Sequence, residues 1–184
     1  MNIDYVIMGH LSRIPFQRYF VDNLEYDVPI TVDDGTLGVW GNARQAWEMV
    51  NPKSDYGVVI QDDAILCDDF KHRCEKFLSE HNGHMVSFYF GESKKTFKYL
   101  RPKYFDAPLY HAVALAIPTH QIPDMIKYCD TRTEVDGDDM KIKRWLISQN
   151  RTCRYSNPSL VQHRDIPSII DPQKPIRQSN IFRQ

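Results

Sequence analysis

Short apolar runs rich in β-branched residues alternate along this chain with stretches of helical periodicity, and several runs stop on carboxylates. That alternation constrains the fold more than any other feature, because strands separated by helix-length connections pair in parallel and need helices on both faces. The expected fold is a single α/β/α sandwich on a mostly parallel central sheet. The first run, 3–8, stops at Gly9 in the turn MGHLSR. The second, 28–32, ends in Asp33-Asp34-Gly35, and the third, 56–60, runs into Gln61-Asp62-Asp63. Runs at 85–90 and 111–117 supply further strands, and 154–163 is strand-like but interrupted at Pro158.

Helices fill the gaps. After Gly35, Gly38 and Gly41, residues Ala43, Ala46, Trp47 and Val50 fall on one helical face, with Asn42 as a starting cap and Pro52 beyond the end. Asp68 or Asp69 opens a helix with the apolar face Phe70, Cys74, Phe77 and Leu78, and Gly83 stops it. Thr119 caps a short helix bearing Ile122, Met125 and Ile126, and Gly137-Asp138-Asp139 leads into one bearing Ile142, Trp145 and Leu146. From Asp165 onward, prolines at 167, 172 and 175 and weak periodicity mark an extended tail, either disordered or laid across the surface. The expected organisation is one domain over 1–164 and a tail over 165–184.

Composition narrows the function classes. At 184 residues, with 42% hydrophobic and 12% aromatic content, the chain suits one domain with a real core. A formal net charge of −1 excludes nucleic-acid binding driven by bulk charge, though not by a local basic patch. No apolar run reaches the length of a membrane span. The start MNIDYVIMGH lacks a basic n-region, and Cys67, Cys74, Cys129 and Cys153 form no CxxC pair. Reduced thiols in a cytoplasmic protein without structural zinc are therefore expected.

Carboxylates gather where strands end. Ligands of open α/β sheets bind outside the carboxyl ends of the strands, so acids at two such ends point to one crevice. Asp33 and Asp34 read equally well as turn and helix caps. Asp62 and Asp63 carry more weight. Two carboxylates directly after a buried apolar strand cost desolvation and mutual repulsion unless a cation offsets them. Hard oxygen ligands suit Mg²⁺ or Mn²⁺, ions that commonly sit on substrate phosphates and neutralise charge on a departing diphosphate.

The order of four segments resembles the GT-A fold glycosyltransferases, enzymes that use nucleotide-sugar donors. YVIMGHLSR (5–13) resembles the family's opening strand and loop, and ITVDDG (30–35) the strand and acid that hold the nucleoside. GNARQAW (41–47) is similar to the helix carrying an arginine near the donor, and VVIQDDAIL (58–66) stands where the family has its DxD-type or EDD-type metal motif. AVALAIP (112–118), DGDDMKIKRWL (136–146) and PSLVQH (158–163) extend the likeness to about His163. The nearest groups are the lipopolysaccharide-type and phage-type transferases with an EDD motif.

That resemblance implies roles residue by residue. Asp63 and His163 would ligate Mn²⁺ or Mg²⁺, and Asp62 would reach the metal indirectly or touch the donor's ribose or sugar. Gln61 departs from the acid usual at its position and brings no charge. Gly9, Asp33, Asp34, Trp40, Asn42, Arg44 and Asp62 make up the implied donor-binding set. Asp138 and Asp139 are the catalytic candidates, with Asp139 favoured as the general base of an inverting transfer. Both also read as ordinary acids at a helix N-terminus. Arg44 pairs with the diphosphate, with the nearby aspartates, or with a surface partner.

One segment concerns the acceptor. KKTFKYLRPKYF (94–105) holds Lys94, Lys95, Lys98, Arg101 and Lys103 among Phe97, Tyr99, Tyr104 and Phe105, with no acid. It reads as a solvated connecting loop or as a surface for DNA or another phosphorylated acceptor. The expected activity is transfer of a hexose-like sugar from a nucleotide-diphosphate donor, UDP-linked by analogy, to an acceptor hydroxyl. The acceptor is a glycan or a hydroxymethylated DNA base that would have to be flipped out of its duplex. The alternatives are a non-catalytic nucleotide-sugar-binding protein of the same fold, kept open by Gln61, and a nucleotidyltransferase, for which MGHLSR is a poor phosphate loop.

Overall fold

The computed structural model describes residues 1–24, 27–91, 102–133, 137–169, 173 and 177–184. A seven-stranded sheet is built from β1 (Ile3–His10), β2 (Ile30–Asp33), β3 (Tyr56–Gln61), β5 (Val86–Ser87), β6 (Tyr104–Ala107), β7 (Ala114–Pro118) and β8 (Cys153–Ser156), in the order β2-β1-β3-β7-β5-β8-β6. β7 and β6 run against the other five strands. The expectation of a mostly parallel sheet thus holds for strand direction, whereas its ladders are mixed. β4 (Ala64–Leu66) and β9 (Val161–His163) form a separate antiparallel pair.

Helices cover both faces. α1 (Ile14–Leu24) and α3 (Phe70–Glu80) bury Phe20, Leu24, Phe70, Cys74 and Leu78 on one side. α2 (Gly38–Met49), α4 (Ile122–Asp130) and α5 (Asp138–Ser148) bury Ala46, Trp47, Met125, Ile142 and Trp145 on the other. β3 shows why two layers are needed: Tyr56, Val58 and Ile60 point into the first core and Val59 into the second. A fully apolar strand is the signature of a sheet buried on both faces. All four cysteines are buried free thiols, and burial pushes Cys74 and Cys129 up to about 12. No helix among the described residues is long and apolar enough to cross a membrane.

Several elements differ from the sequence reading. α1 was not foreseen, although Phe16, Phe20 and Leu24 recur at helical spacing. α2 begins at Gly38, so Asn42 lies inside it and caps nothing. Its side chain instead donates to the Gly9 carbonyl at 2.9 Å and accepts from Thr31 Oγ1 at 2.6 Å. β5 is only two residues long, and β4 and β6 are additional strands.

The described residues 177–184 of the tail pack on the domain. Ser179 Oγ lies 2.8 Å from Ser159 Oγ, Tyr89 Oη donates to the Arg177 carbonyl at 2.7 Å, and Ile181 and Phe182 pack on the two cores. Of the basic segment 94–105, residues 94–101 lie outside the described residues. Tyr104 and Phe105 belong to β6, where Phe105 stacks on Tyr155 at 5.1 Å and Arg154 lies 4.3 Å over the Tyr104 ring.

Candidate functional site

β1 pairs with β2 on one edge and β3 on the other, both in parallel. The chain therefore reverses its winding at β1, and this is where open α/β sheets leave a crevice at their carboxyl ends. A cavity of about 380 Å³ opens there. Its walls include Gly9 and His10 at the end of β1 and Arg13 beyond it, Asp33 at the end of β2, Gly38 and Asn42 of α2, Gln61 at the end of β3 with Asp62 and Asp63 beyond it, Asp138 at the start of α5, and His163 at the end of β9. Ser168 and Ile169 close it from the tail.

Asp62 and Asp63 are 3% and 5% exposed, so their charges need internal compensation. Arg13 provides it. Its Nη1 donates to Asp62 Oδ1 at 3.0 Å and to Asp63 Oδ2 at 2.6 Å, and its Nη2 donates to the Pro167 carbonyl at 3.2 Å. The other Asp62 oxygen accepts from the His10 backbone N–H at 2.7 Å. Each oxygen of Asp62 thus has a donor, and the side chain serves as a clamp between β1 and Arg13.

Asp63 is different. His163 Nε2 lies 3.2 Å from its Oδ2, while Oδ1 is buried with no hydrogen-bond partner. The pairing of Ala64 with His163 in the β4–β9 ladder places these two side chains together, and Arg164 N–H donates to the Asp63 carbonyl at 2.8 Å. His163 Nδ1 donates to the Arg164 carbonyl at 2.7 Å, which turns Nε2 toward Asp63.

The charges follow from this geometry. Burial pushes the Asp63 carboxyl up, but His163 and Arg13 together outweigh it and hold it below the usual range. At Asp62 burial prevails over Arg13 and the His10 N–H, and the shift is upward. Burial opposes charge on His163, but Asp63 wins and raises it.

Only part of a divalent-ion site is present. Asp63 Oδ1 is unpaired, whereas His163 Nε2 and Arg13 Nη1 both face the other oxygen, Oδ2. Among the described residues, however, no group of three or more histidine, cysteine, aspartate or glutamate side chains is gathered to hold a metal ion. Asp63 and His163 would be its protein ligands, and bound phosphate and water would have to complete the shell.

Asp138, which also lines the cavity, is buried at the first turn of α5. Burial, reinforced by the charge of Asp139, pushes its carboxyl up to about 7. The Gln61 side chain hydrogen-bonds to Asp138 and works in the opposite direction. An acid at position 61 would face Asp138 with like charge. Asp139 lies outside the cavity wall; its Oδ1 accepts from the Met140 N–H at 2.7 Å.

The other expected site residues divide. Asp33, at the end of β2, accepts from the Gly35 and Leu37 N–H groups at 3.0 and 3.2 Å and lines the cavity. Gly9 also lines it, but a Cβ there would come within 2.5 Å of the Thr31 carbonyl oxygen, so the approach of β1 to β2 itself requires glycine. Asp34 is exposed and accepts from the Thr36 N–H. Trp40 Nε1 donates to Asp130 Oδ1 at 2.9 Å and Arg44 Nε to Asp130 Oδ2 at 3.1 Å, and Arg44 also pairs with Glu48. Asp34, Trp40, Arg44 and Asp139 are not among the residues that line the cavity.

Arg13 and His10 were not singled out from the sequence. The available signal was an arginine three residues past a strand end, ahead of a carboxylate pair in need of a cation.

No protein-family model and no curated protein matches the chain. Among solved structures it is similar to the crystal structure of A197 from STIV, at 14% sequence identity and a TM-score of 0.51, over 100% of this chain and 98% of that one. That likeness shows the fold alone.

Proposed function

We propose that this protein is a nucleotide-sugar-dependent glycosyltransferase of the GT-A type, assisted by Mn²⁺ or Mg²⁺. The observation that carries the reading is what lines the switch-point cavity. A cation-compensated carboxylate, Asp63, with His163 beside it, shares that cavity with a carboxyl poised near neutrality, Asp138. The first pair suits a diphosphate leaving group and the second an acceptor hydroxyl.

In this account Asp33 faces the nucleoside at the end of β2, and Arg13 turns positive charge toward the diphosphate. A metal held by Asp63 and His163 would supply Lewis-acid neutralisation of the leaving group. The acceptor oxygen bonds to the anomeric carbon as the bond from that carbon to the diphosphate oxygen breaks. Asp138 takes the hydroxyl proton and the nucleoside diphosphate leaves with the electron pair. Ser168 and Ile169 line the same cavity from the tail. Uridine in the donor, a hexose as the sugar, and a hydroxymethylated DNA base or a glycan as acceptor remain part of the proposal.

The test is release of free UDP from a panel of UDP-sugars with Mn²⁺. Turnover that disappears in both Asp63→Ala and Asp138→Asn supports the reading. A specific observation favours a second one: Arg13 already balances the carboxylate pair, as suits a non-catalytic nucleotide-sugar binder that needs no metal. UDP binding that ignores both Mn²⁺ and Asp63→Ala would select that alternative.

A further inference from the structure

We propose that Arg177, held against His111 by the tail, forms a phosphate-binding subsite beside the cavity, and that the acceptor is a glycan carrying a phosphate group. The subsite stands on its own geometry; the acceptor's part in it rests on the transferase reading above.

Chain direction brings both residues to the cavity's end of the sheet. β7 runs antiparallel to β3, so its first residue, Ala114, pairs with Ile60 near the carboxyl end of β3. His111 stands just before β7, and Gln61 of the cavity wall donates its N–H to the Val113 carbonyl at 2.8 Å. His111 and His163 flank one buried ring, their centroids 5.9 and 6.4 Å from that of Tyr89. His163 lines the cavity, whereas His111 and Arg177 are not among its lining residues. The tail is pinned on both sides of the Arg177 side chain's anchor. Tyr89 Oη donates to the Arg177 carbonyl at 2.7 Å, and buried Ser179 donates its N–H to Gln162 Oε1 at 2.7 Å and accepts from Gln162 Nε2 at 3.1 Å.

The charges at this place do not balance. Arg177 is exposed, and its Nη1 lies 3.1 and 3.3 Å from the two ring nitrogens of half-buried His111. An imidazole brings no negative charge. Among the described residues no carboxylate forms an ion pair with Arg177 or His111, and Asp63 is already faced by Arg13 and His163. Burial, Arg177 and His163 together hold the His111 imidazole down to about 4, which marks a positive potential there. Such a place favours an anion, and a guanidinium presents a planar fork that fits phosphate oxygens. A phosphate monoester, with close to two charges at neutral pH, answers this field better than a carboxylate with one. A nucleic-acid strand asks for a row of cations along its backbone, whereas one arginine suits one phosphate. The donor's diphosphate is assigned to the cavity, so the anion at Arg177 belongs to the second substrate.

The experiment titrates inorganic phosphate into the full chain at constant ionic strength, with and without saturating UDP, and follows the NMR signals of the His111 ring. Saturable shifts are expected in wild type, at the same phosphate concentrations whether or not UDP is present. Arg177→Gln is expected to weaken phosphate binding about tenfold or more while leaving UDP affinity unchanged. Arg177→Lys keeps the charge but loses the fork and is expected to fall between the two; it also serves if Arg177→Gln does not fold. Acetate is expected to bind more weakly than phosphate.

His111 signals that ignore phosphate, or phosphate affinity equal in wild type and both Arg177 variants, would overturn the subsite. Acetate bound as tightly as phosphate overturns its selectivity. Phosphate displaced by UDP belongs with the donor and overturns the acceptor assignment, and single-stranded DNA that shifts His111 at lower concentration than phosphate replaces the glycan with nucleic acid. Phosphate binding that depends on Arg177 in a protein that never binds UDP overturns the transferase reading and leaves the subsite standing.

Discussion

Arg13 Nη1 lies 2.6 Å from Asp63 Oδ2, joining residues fifty positions apart at the carboxyl ends of β1 and β3. The pair is almost fully buried, so its members depend on each other far more than a surface ion pair would. Removing one partner strands the other's charge. Asp63→Ala is therefore expected to lower unfolding free energy by about 3 kcal/mol in urea denaturation. Exposed Asp34→Ala should change it by less than about 0.5 kcal/mol. Equal small effects would show that the pair carries no structural weight.

In the proposed reaction Asp138 sets stability against activity. Its folded-state pKa of about 7 lies above the ordinary 3.8, so the folded protein holds a proton that the unfolded chain releases. The stability gained from the neutral carboxyl is full below the unfolded value and is lost as pH rises from about 4 to about 7. A rise from 3.8 to about 7 is worth about 4 kcal/mol at most. Asp138→Asn is expected to be more stable than wild type at pH 8 and nearly equal to it at pH 4, by chemical denaturation at the two values.

The same residue sets the sign of the activity profile. A general base works when ionised, so transfer should rise with pH through about 7 as Asp138 loses its proton. Asp138→Asn should abolish transfer while leaving UDP affinity in calorimetry within about twofold of wild type. A rate that falls across that range would assign Asp138 an acid's role or none.

Trp40 and Arg44 are engaged by Asp130, across from α2 on the last residue of α4. These contacts are exposed and worth little. Arg44→Ala is expected to leave the donor KM unchanged and to cost less than about 1 kcal/mol of stability. A large rise in KM would bring Arg44 back to the donor.

Gly9 and Asn42 hold the switch point itself. Gly9→Ala pushes a methyl group onto backbone, the Thr31 carbonyl, and Asn42→Ala leaves buried groups on Gly9 and Thr31 unpaired. Asn42→Ala is expected to cost about 1–3 kcal/mol by denaturation, and Gly9→Ala at least as much. Near-neutral effects would show that β1 and β2 tolerate being moved apart.

The sheet was legible because β3 is apolar on both faces and because β1 and β2 stop on residues that cannot continue a buried strand. The carboxylate pair was legible because two acids after such a strand demand compensation. What supplied the compensation was not. Arg13 sits in MGHLSR, where nothing local separates it from a surface arginine, and its partners lie about fifty residues away. Asp138 and Asp139 carry the same chemistry on adjacent positions of one helix turn. Only the approach of α5 to Gln61 decides which of them turns inward. Asn42 read as a cap because the glycines before it masked the true start of α2 at Gly38.

In the proposed reaction Asp63 and Asp138, which line one cavity, divide the work of releasing a nucleotide and accepting a proton. Free UDP released from UDP-sugars in the presence of Mn²⁺ measures that most directly. Wild type is expected to release UDP steadily, with at least about a hundredfold loss in either Asp63→Ala or Asp138→Asn. Release that survives both substitutions, or is absent from wild type across the donor panel, would contradict it.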